Sequence, residues 1–233
     1  MLHVDTLHAH YGRAHILQGL SFHIAPGCAL VLLGRNGAGK STTLKSLIGL
    51  VRPTSGRITL AGQDIAGHEP HAIARAGLGY VPEDRRIFTE LTVMENLEVG
   101  RLPPRDGRPP WTPERLFALF PNLAAMRNRP GGRMSGGEQQ MLAIARTLMG
   151  NPRLILLDEP SEGLAPVIVE HMVHAIRAMR DSGVTILLAE QNLHFALAVA
   201  DHAAIIEKGR ITWHGPISAL QADPALREAW LAP

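Results

Sequence analysis

The amino-acid sequence is short of cysteine, of net charge and of long hydrophobic runs. Cys28 is the one cysteine among 233 residues, so no disulfide can form within the chain, which is typical of a reducing compartment. No stretch approaches the ~18 apolar residues that a membrane-spanning helix requires. Residues 1–5 have neither a basic region nor an apolar core, so no signal peptide is visible. These absences predict a soluble protein of the cytosol.

The balance of charge argues against a nucleic-acid partner. The chain contains 23 Lys and Arg against 21 Asp and Glu, and a net charge of +2 is weak support for binding a polyanion. Its composition is that of an ordinary globular protein, with 45% hydrophobic and 19% charged residues. A length of 233 residues suits one α/β domain with an inserted subdomain.

A glycine-rich segment, residues 34–42, organises the rest of the chain. It reads Gly-Arg-Asn-Gly-Ala-Gly-Lys-Ser-Thr, follows the apolar residues 29–33 and precedes leucines at helical spacing. Strand, loop and helix in this order are the context in which such a loop cradles phosphate. Glycines allow the backbone to approach the anion closely, and the helix N-terminus and the lysine attract it. The predicted nucleoside triphosphate ligands are Gly34, Asn36, Gly37, Ala38, Gly39, Lys40, Ser41 and Thr42.

A second segment places two acids at the end of a buried strand. Residues 154–157 are apolar, as in a strand that is covered on both faces, and Asp158 and Glu159 follow directly. The carboxyl edge of a parallel sheet is where α/β proteins bind their ligands. We therefore expect the hydroxyl of Ser41 to bind Mg²⁺ and Asp158 to hold the ion through a water molecule. Glu159 is expected to orient and polarise the water that attacks the γ-phosphate.

A third segment, residues 134–140, opens a long helical pattern. Ser135 suits the N-cap and Glu138 the third helical position of a capping box. Gly136 and Gly137 leave backbone N–H groups accessible at the positive end of the helix. Because the phosphate loop already holds one side of a nucleotide, this second anion-binding helix end is expected to cap a nucleotide bound by another subunit.

The alternation of strand and helix patterns predicts an α/β fold with a largely parallel sheet. The chain is predicted to form a single domain, residues 1–233. This domain consists of a nucleotide-binding core with an antiparallel N-terminal β subdomain, formed by residues 1–87 and 151–233, and a helical insertion formed by residues 88–150. The predicted strands are 2–10, 16–24, 29–33, 56–62, 78–81, 154–157, 184–189, 203–207 and 211–214. The predicted helices are 43–50, 70–75, 91–99, 114–120, 135–149, 166–180, 193–200 and 217–233.

The three motifs together resemble those of the ATPase subunits of ABC transporters, over essentially the whole chain. Residues 34–42 resemble Walker A, residues 154–159 resemble Walker B, and residues 134–139 resemble a variant of the Leu-Ser-Gly-Gly-Gln signature. The resemblance implies a P-loop NTPase with a RecA-like parallel sheet core that binds ATP and Mg²⁺ and hydrolyses ATP. Tyr11 falls where the family places an aromatic ring that stacks on adenine, although it also suits an ordinary hairpin turn.

The sequence departs from the family pattern in three places, and these departures indicate which kind of subunit it resembles. Glu83 stands where the family usually has a glutamine that contacts Mg²⁺ and the attacking water, and Gln191 stands where it usually has a histidine. Both join Glu159 as candidate catalytic residues, and Glu83 is also a candidate metal ligand. Residues 161–166 end in Ala165-Pro166 instead of the usual aspartate. These variants resemble the second, shorter ATPase subunit of branched-chain amino-acid importers, to which a subunit of urea and short-chain amide importers is closely similar.

The resemblance also implies partners. Two ATPase subunits enclose two ATP molecules and drive two membrane permeases, and the second subunit completes either a heterodimer or a homodimer. An extracytoplasmic solute-binding protein acts indirectly. Such a subunit is cytoplasmic and lies on the inner face of the cell membrane. Residues 83–88 and the inserted helices are the expected docking surface, unless Arg85 and Arg86 are simply solvated.

Two other classes of function compete with an importer ATPase. Relatives that act on DNA carry a long coiled coil between Walker A and the signature, and ribosome-binding relatives carry two cassettes in one chain; this sequence has neither. A nucleotide-binding regulatory module without turnover is compatible with the three departures. A metal-dependence assay of ATP hydrolysis separates that module from an ATPase.

Overall fold

The computed structural model describes residues 1–223, which form two β-sheets and the helices that cover them. The strands are β1 (Leu2–Tyr11), β2 (Ala14–Ile24), β3 (Ala29–Leu33), β4 (Ser55–Leu60), β5 (Gln63–Asp64), β6 (Leu78–Val81), β7 (Leu154–Asp158), β8 (Thr185–Glu190), β9 (His202–Glu207) and β10 (Arg210–Pro216). The α-helices are α1 (Lys40–Leu47), α2 (Pro70–Ala76), α3 (Val93–Val99), α4 (Pro113–Leu119), α5 (Pro121–Ala125), α6 (Gly136–Leu148), α7 (Pro166–Asp181), α8 (Leu193–Val199) and α9 (Ile217–Ala222). The predicted α/β fold is confirmed.

The central sheet contains six of the described strands, in the order β10-β9-β3-β8-β7-β6. Within it β9, β3, β8, β7 and β6 run parallel, and the edge strand β10 is antiparallel to β9. Every residue of β3, β7 and β8 is buried, as expected for apolar strands covered on both faces. Successive side chains therefore enter two cores: Val31 packs among residues of α6, α7 and α8, whereas Leu30 and Leu32 pack towards α1 and β2.

The second sheet is antiparallel and has the strand order β2-β1-β4-β5. It contains the predicted N-terminal hairpin and the predicted strand near residues 56–62. Leu2 and Val4 alternate with exposed residues along β1 and face the core between the sheets. The two-residue strand β5 was not predicted, because it is too short to show a period.

Helices α3 to α6 lie between β6 and β7, in the region predicted to be a helical insertion. Capping boxes at Thr92–Glu95 and Ser135–Glu138 fix the starts of α3 and α6, since each side chain binds the other residue's backbone N–H. The buried Asn96 donates to the carbonyls of Phe88 and Leu91 and so holds the preceding loop against α3. Helix α5 and a 3₁₀ turn at Gly131–Arg133 were not predicted. The division into a core and a helical subdomain stays a prediction.

Several predicted helix boundaries were wrong: α3 begins at Val93 instead of residue 91, because Thr92 is its N-cap, and both ends of α1 differ. Helix α1 begins at Lys40 instead of residue 43, because Gly39 adopts a φ of 112° and turns the chain directly into the helix. It ends at Leu47 instead of residue 50, shortly before Gly49, whose φ of 82° is incompatible with a continuing helix. At the C-terminus α9 covers Ile217–Ala222, and residues 224–233 of the predicted helix lie outside the described residues.

Among residues 1–223, none of the helices combines the length and the apolar content needed to cross a bilayer.

Gly209, in the turn between β9 and β10, joins both sheets to the phosphate loop. Its N–H donates to the Ala38 carbonyl at 2.9 Å, and its carbonyl accepts from the Gln18 N–H at 2.9 Å. Its φ is +77°, and a Cβ at this position would collide with the carbonyl oxygen of Ile16. The close approach of three backbone segments therefore requires glycine here.

Replacing Gly209 by alanine is expected to destabilise the protein by about 2–4 kcal/mol, because the new Cβ forces the three segments apart and the backbone is strained. Gly62→Ala is the matched control: Gly62 has a φ of +86°, but no atom lies within 4 Å of its Cβ position. The control is expected to cost about 1 kcal/mol. Denaturant unfolding measures both. Equal losses for the two variants would contradict the packing argument.

Candidate active site

Four loops meet at the carboxyl edge of the central sheet. They follow β3, β8, β7 and β6, which are adjacent parallel strands. The loops contain the phosphate loop, Gln191, Glu159 and Glu83, respectively. Parallel strands end at the same edge of a sheet, so residues that are far apart in the sequence come together here.

Two of the three phosphate-loop glycines have the positive φ expected of them, and Gly34 does not. Gly37 and Gly39 adopt φ values of 79° and 112°, and no atom lies within 4 Å of the Cβ position of Gly37. Gly34 is held against β9, where a Cβ would lie 2.5 Å from the carbonyl oxygen of Ile206. Lys40 is only 4% exposed and donates to the carbonyls of Gly34 at 2.8 Å and of Arg35 at 3.3 Å. The loop thus surrounds a fixed ammonium group.

Asp158, at the end of β7, is buried and hydrogen-bonded through both oxygens. Ser41 Oγ donates to Oδ1 at 2.9 Å, and Tyr80 Oη donates to Oδ2 at 3.1 Å. Burial raises the pKa of Asp158, and the two hydrogen bonds oppose that rise. Burial, followed by the Asp158 charge, also raises the pKa of Tyr80. Sequence reasoning missed Tyr80, because within β6 it reads as an ordinary strand residue.

Glu159 lies directly between Lys40 and Gln191. Its Oε1 pairs with Lys40 Nζ at 3.1 Å, and Gln191 Nε2 lies 3.3 and 3.2 Å from its two carboxylate oxygens. The backbone at Glu159 has a φ of 45°, a strained value for a residue other than glycine. Gln191 also donates to Asn36 Oδ1 at 2.6 Å and so connects Glu159 to the phosphate loop. The structure brings these four predicted residues into one polar cluster.

Glu190, which sequence reasoning also missed, binds the backbone of the loops that carry this cluster. It is 2% exposed and accepts hydrogen bonds from the backbone N–H groups of Ser161, Gln191 and Asn192. Burial raises its pKa, and the bonds at Ser161 are the main effect in the opposite direction. Glu190 therefore fixes the loops that carry Glu159 and Gln191. Its position directly after the predicted strand 184–189 was the sequence signal that could have identified Glu190.

Glu83 and Glu162 lie on the exposed side of the same edge. Glu83 is exposed, and its charge is one of several that raise the pKa of Glu162. A hydrogen bond with Glu159 is the largest contribution to that rise, followed by burial and the Glu159 charge. Glu83 is therefore near the cluster without a hydrogen bond to Ser41 or Asp158 among the described residues.

The signature-like residues lie apart from the phosphate loop. Ser135 Oγ accepts from the Glu138 N–H at 3.4 Å, while the Ser135 N–H donates to Glu138 Oε2 at 2.7 Å. A Cβ at Gly136 would lie 2.9 Å from a guanidinium nitrogen of Arg85, and one at Gly137 would lie 2.7 Å from Ile168. Within residues 1–223, the hydrogen bonds of this helix start go to its own neighbourhood and not to the phosphate loop.

Tyr11 lies at the tip of the β1–β2 hairpin with about half of its surface exposed. The hairpin is anchored beside the phosphate loop through Gln18, Gly209 and Ala38. An exposed aromatic ring in this position is able to receive a planar group.

Comparison with known proteins identifies the family. The model of the family described as "ABC transporter" matches residues 17–162. The high-affinity branched-chain amino acid transport ATP-binding protein BraG of Pseudomonas aeruginosa is 42% identical over 231 residues, which is 99% of each chain. The probable branched-chain amino acid transport ATP-binding protein LivF of Archaeoglobus fulgidus is 36% identical, over 94% of each chain.

Other relatives belong to a different transport system. The lipopolysaccharide export system ATP-binding protein LptB of Acidithiobacillus ferridurans is 34% identical, over 99% of this chain and 96% of that protein. Among solved structures, an ATP-binding cassette of an ABC transporter in its ADP conformation superimposes with a TM-score of 0.83 at 26% identity, over 100% of this chain and 99% of that one. The chain therefore belongs to the ABC transporter family, and it is an ATPase that binds and hydrolyses ATP.

Proposed function

We propose that this chain is the ATP-hydrolysing subunit of a membrane importer for branched-chain amino acids. The observation that supports the ATPase part is the cluster of Lys40, Ser41, Asp158 and Glu159 at one edge of the sheet. The substrate part is supported by the names of BraG and LivF, which match along nearly the whole chain.

The triphosphate is proposed to bind in the phosphate loop. Lys40 offers a full positive charge, and no atom lies within 4 Å of the Cβ position of Gly37, so the structure leaves room beside the loop. When the triphosphate binds, the Lys40 ammonium group is proposed to give up its contact with the Glu159 carboxylate and to bind phosphate oxygens, because it cannot point at both groups at once. Tyr11 is proposed to stack on the adenine, which suits its exposure at the hairpin tip.

Ser41 and Asp158 fit a Mg²⁺ site. Ser41 Oγ and Asp158 Oδ1 lie 2.9 Å apart. Hydroxyl and carboxylate oxygens are the kinds of ligand that Mg²⁺ prefers, so these two groups would hold the ion together, Asp158 through a water molecule. Within residues 1–223 no cluster of three His, Cys, Asp or Glu side chains could hold a metal, which agrees with an ion that takes its other ligands from phosphate and water. Mg²⁺ would neutralise the phosphate charge during transfer. Glu83 is proposed to join it from the loop after β6.

Glu159 is proposed to be the general base. Released from Lys40, its carboxylate is held by Gln191 and lies at the edge where the γ-phosphate ends. Gln191 positions Glu159 and Asn36 at once, but its neutral amide stabilises developing negative charge less than a histidine cation would. This difference supports a heterodimer in which another ATPase chain supplies a histidine-bearing site, although a homodimer has the same overall geometry.

The variant Glu159→Gln is expected to bind ATP but to lose ~10²-fold or more in turnover, because the amide keeps the shape and cannot accept the proton. ATP affinity and steady-state phosphate release measure the two properties separately. Glu170→Gln is the control, since Glu170 is an exposed acid on α7 outside the cluster. Undiminished turnover of Glu159→Gln would show that another group is the base.

The signature residues Ser135, Gly136, Gly137 and Glu138 are proposed to face the nucleotide of a second subunit. The helix N-terminus of α6 suits a phosphate, yet none of its hydrogen bonds within residues 1–223 goes to its own phosphate loop. Two subunits arranged head to tail would bring each signature to the other subunit's ATP. The dimer is thus required for a complete site.

Ser135→Arg is expected to block ATP-driven dimerisation, because a bulky cation replaces the small cap at the interface, while monomer ATP binding stays nearly unchanged. Sedimentation with ATP measures the dimer, and nucleotide titration measures binding. Ser218→Arg, on the exposed face of α9, is the matched control. Equal loss of dimerisation and of monomer ATP binding in Ser135→Arg would contradict the proposal that the signature faces the nucleotide of the other subunit.

A groove beside residues 83–88 is proposed to receive the membrane permeases. It encloses about 500 Å³ and is lined by Leu50, Phe88 and Val99, which are about half exposed. Arg146 lies over the Phe88 ring at 5.1 Å, and its Nη1 has no hydrogen-bond partner among the described residues. Exposed apolar side chains gathered at one cavity are typical of an interaction site. Bound in this way, the subunit lies peripherally on the inner face of the cell membrane, while an extracytoplasmic binding protein delivers the solute.

Deleting the gene in its host is expected to abolish uptake of radiolabelled leucine, and the wild-type gene, but not Glu159→Gln, should restore it. Lysine uptake is the control, because a pocket for branched apolar side chains rejects a cation. Loss of surface lipopolysaccharide with normal leucine uptake would instead favour an export role like that named for LptB. Loss of urea uptake alone would assign the amide importer, and no loss of any uptake would favour a regulatory module.

A further inference from the structure

A second cavity lies at the opposite edge of the central sheet from the candidate active site. It encloses about 360 Å³ between the loop that precedes α4 and the residues that lead into β7 and β8. Those strands begin at Leu154 and Thr185, whereas Glu159 and Gln191 follow their carboxyl ends. The cavity is therefore separated from the nucleotide by the length of the strands.

The wall of this cavity is strongly basic. Its charged lining residues are one carboxylate and four guanidinium groups, those of Asp106, Arg105, Arg108, Arg115 and Arg153. Arg153 binds Asp106 through both oxygens, with Nε–Oδ2 at 2.7 Å and Nη2–Oδ1 at 2.5 Å. The Arg153 hydrogen bonds lower the pKa of Asp106, and the charges of Arg153, Arg108 and Arg105 lower it further. One carboxylate thus balances only one of four neighbouring cations.

The arginines keep donors available for another acceptor. Arg108 is exposed, and its side chain donates to the Gly183 carbonyl at 3.0 Å. The Nε of Arg105 is buried without a hydrogen-bond partner among the described residues, although its terminal nitrogens reach carbonyls of α2. Burial, and then the Arg153 charge, lowers the pKa of the Arg105 guanidinium. An anion in the cavity would relieve the mutual repulsion of these guanidinium groups.

The rest of the wall is already fixed in place. Arg115 donates to the carbonyls of Pro109 and Pro110 at 2.8 and 2.6 Å, and its guanidinium stacks 4.4 Å from the centre of the Trp111 ring. The Trp111 N–H donates to Asn151 Oδ1 at 2.8 Å. Because these groups need no rearrangement, little ordering entropy opposes binding.

We infer that this cavity is a binding site for a small, soluble phosphate compound with two or more negative charges. Guanidinium groups match phosphate oxygens with paired N–H···O bonds, and four of them line this cavity. A space of about 360 Å³ is larger than one phosphate group and lies in the size range of small-molecule pockets. Since the wall combines the loop before α4 with the starts of β7 and β8, the bound anion ties these segments together.

Calorimetric titration with inorganic pyrophosphate tests the site in a Lys40→Ala background, where binding to the phosphate loop is weakened. Adding Arg108→Gln is expected to weaken pyrophosphate binding about tenfold or more, since a charge-assisted hydrogen bond is lost. Adding Arg57→Gln should change nothing, because Arg57 is an exposed arginine on β4 with an acidic partner, Asp64, outside the cavity. Equal affinity of these two variants would overturn the proposal.

Asp106→Asn separates ligand binding from a purely structural role of the arginines. Removing the carboxylate of Asp106 from the cavity wall is expected to tighten pyrophosphate binding, although it breaks the pair with Arg153 and lowers stability without ligand. Pyrophosphate should then raise the unfolding temperature of this variant more than that of its parent. Weaker pyrophosphate binding by Asp106→Asn would mean that the lining arginines only hold the loop before α4 in place. Arg108-dependent binding to vesicles that contain phosphatidic acid, without binding of pyrophosphate, would replace the soluble compound by a lipid headgroup.

Discussion

The candidate site depends on the parallel pairing of β3, β8 and β7. Leu33 is opposite Glu190, and Asp158 is opposite Ala189, so the three strands end nearly level. Because both faces of these strands are buried, a shift of one residue would exchange the contents of the two cores. The positions of the phosphate loop and of the residues after β7 and β8 are therefore fixed by packing that involves no nucleotide.

Charge at this edge is kept in balance by short contacts. Lys40 and Glu159 are 4% and 10% exposed and pair with each other, while Glu190 is held by backbone N–H groups. A buried charge without such partners is costly, and with them it provides a strong local field. The basic cavity at the other end of the sheet differs, because one carboxylate there faces four arginines. The two ends of the same strands thus offer different kinds of anion site.

Local patterns predicted most of the elements and the main motifs. The predicted strand Ala29–Leu33 is confirmed, and the capping residues Ser135 and Glu138 begin α6 as expected. Short elements such as β5 and α5 were missed, because a few residues do not define a period. Tyr80 and Glu190 were missed for a different reason: strand patterns say that a residue is in a strand but not which polar group it meets.

The sequence by itself determined the phosphate loop, the acids after β7 and the helix start at Ser135, because backbone conformation and capping are set by neighbours in the chain. It also indicated that the strand at residues 154–157 is buried on both faces. Only the tertiary structure decided that Gln191 joins Asn36 to Glu159, that Tyr80 binds Asp158 and that four arginines surround one cavity. Those contacts connect segments far apart in the chain, and their distances depend on sheet register and side-chain packing, which no local pattern specifies.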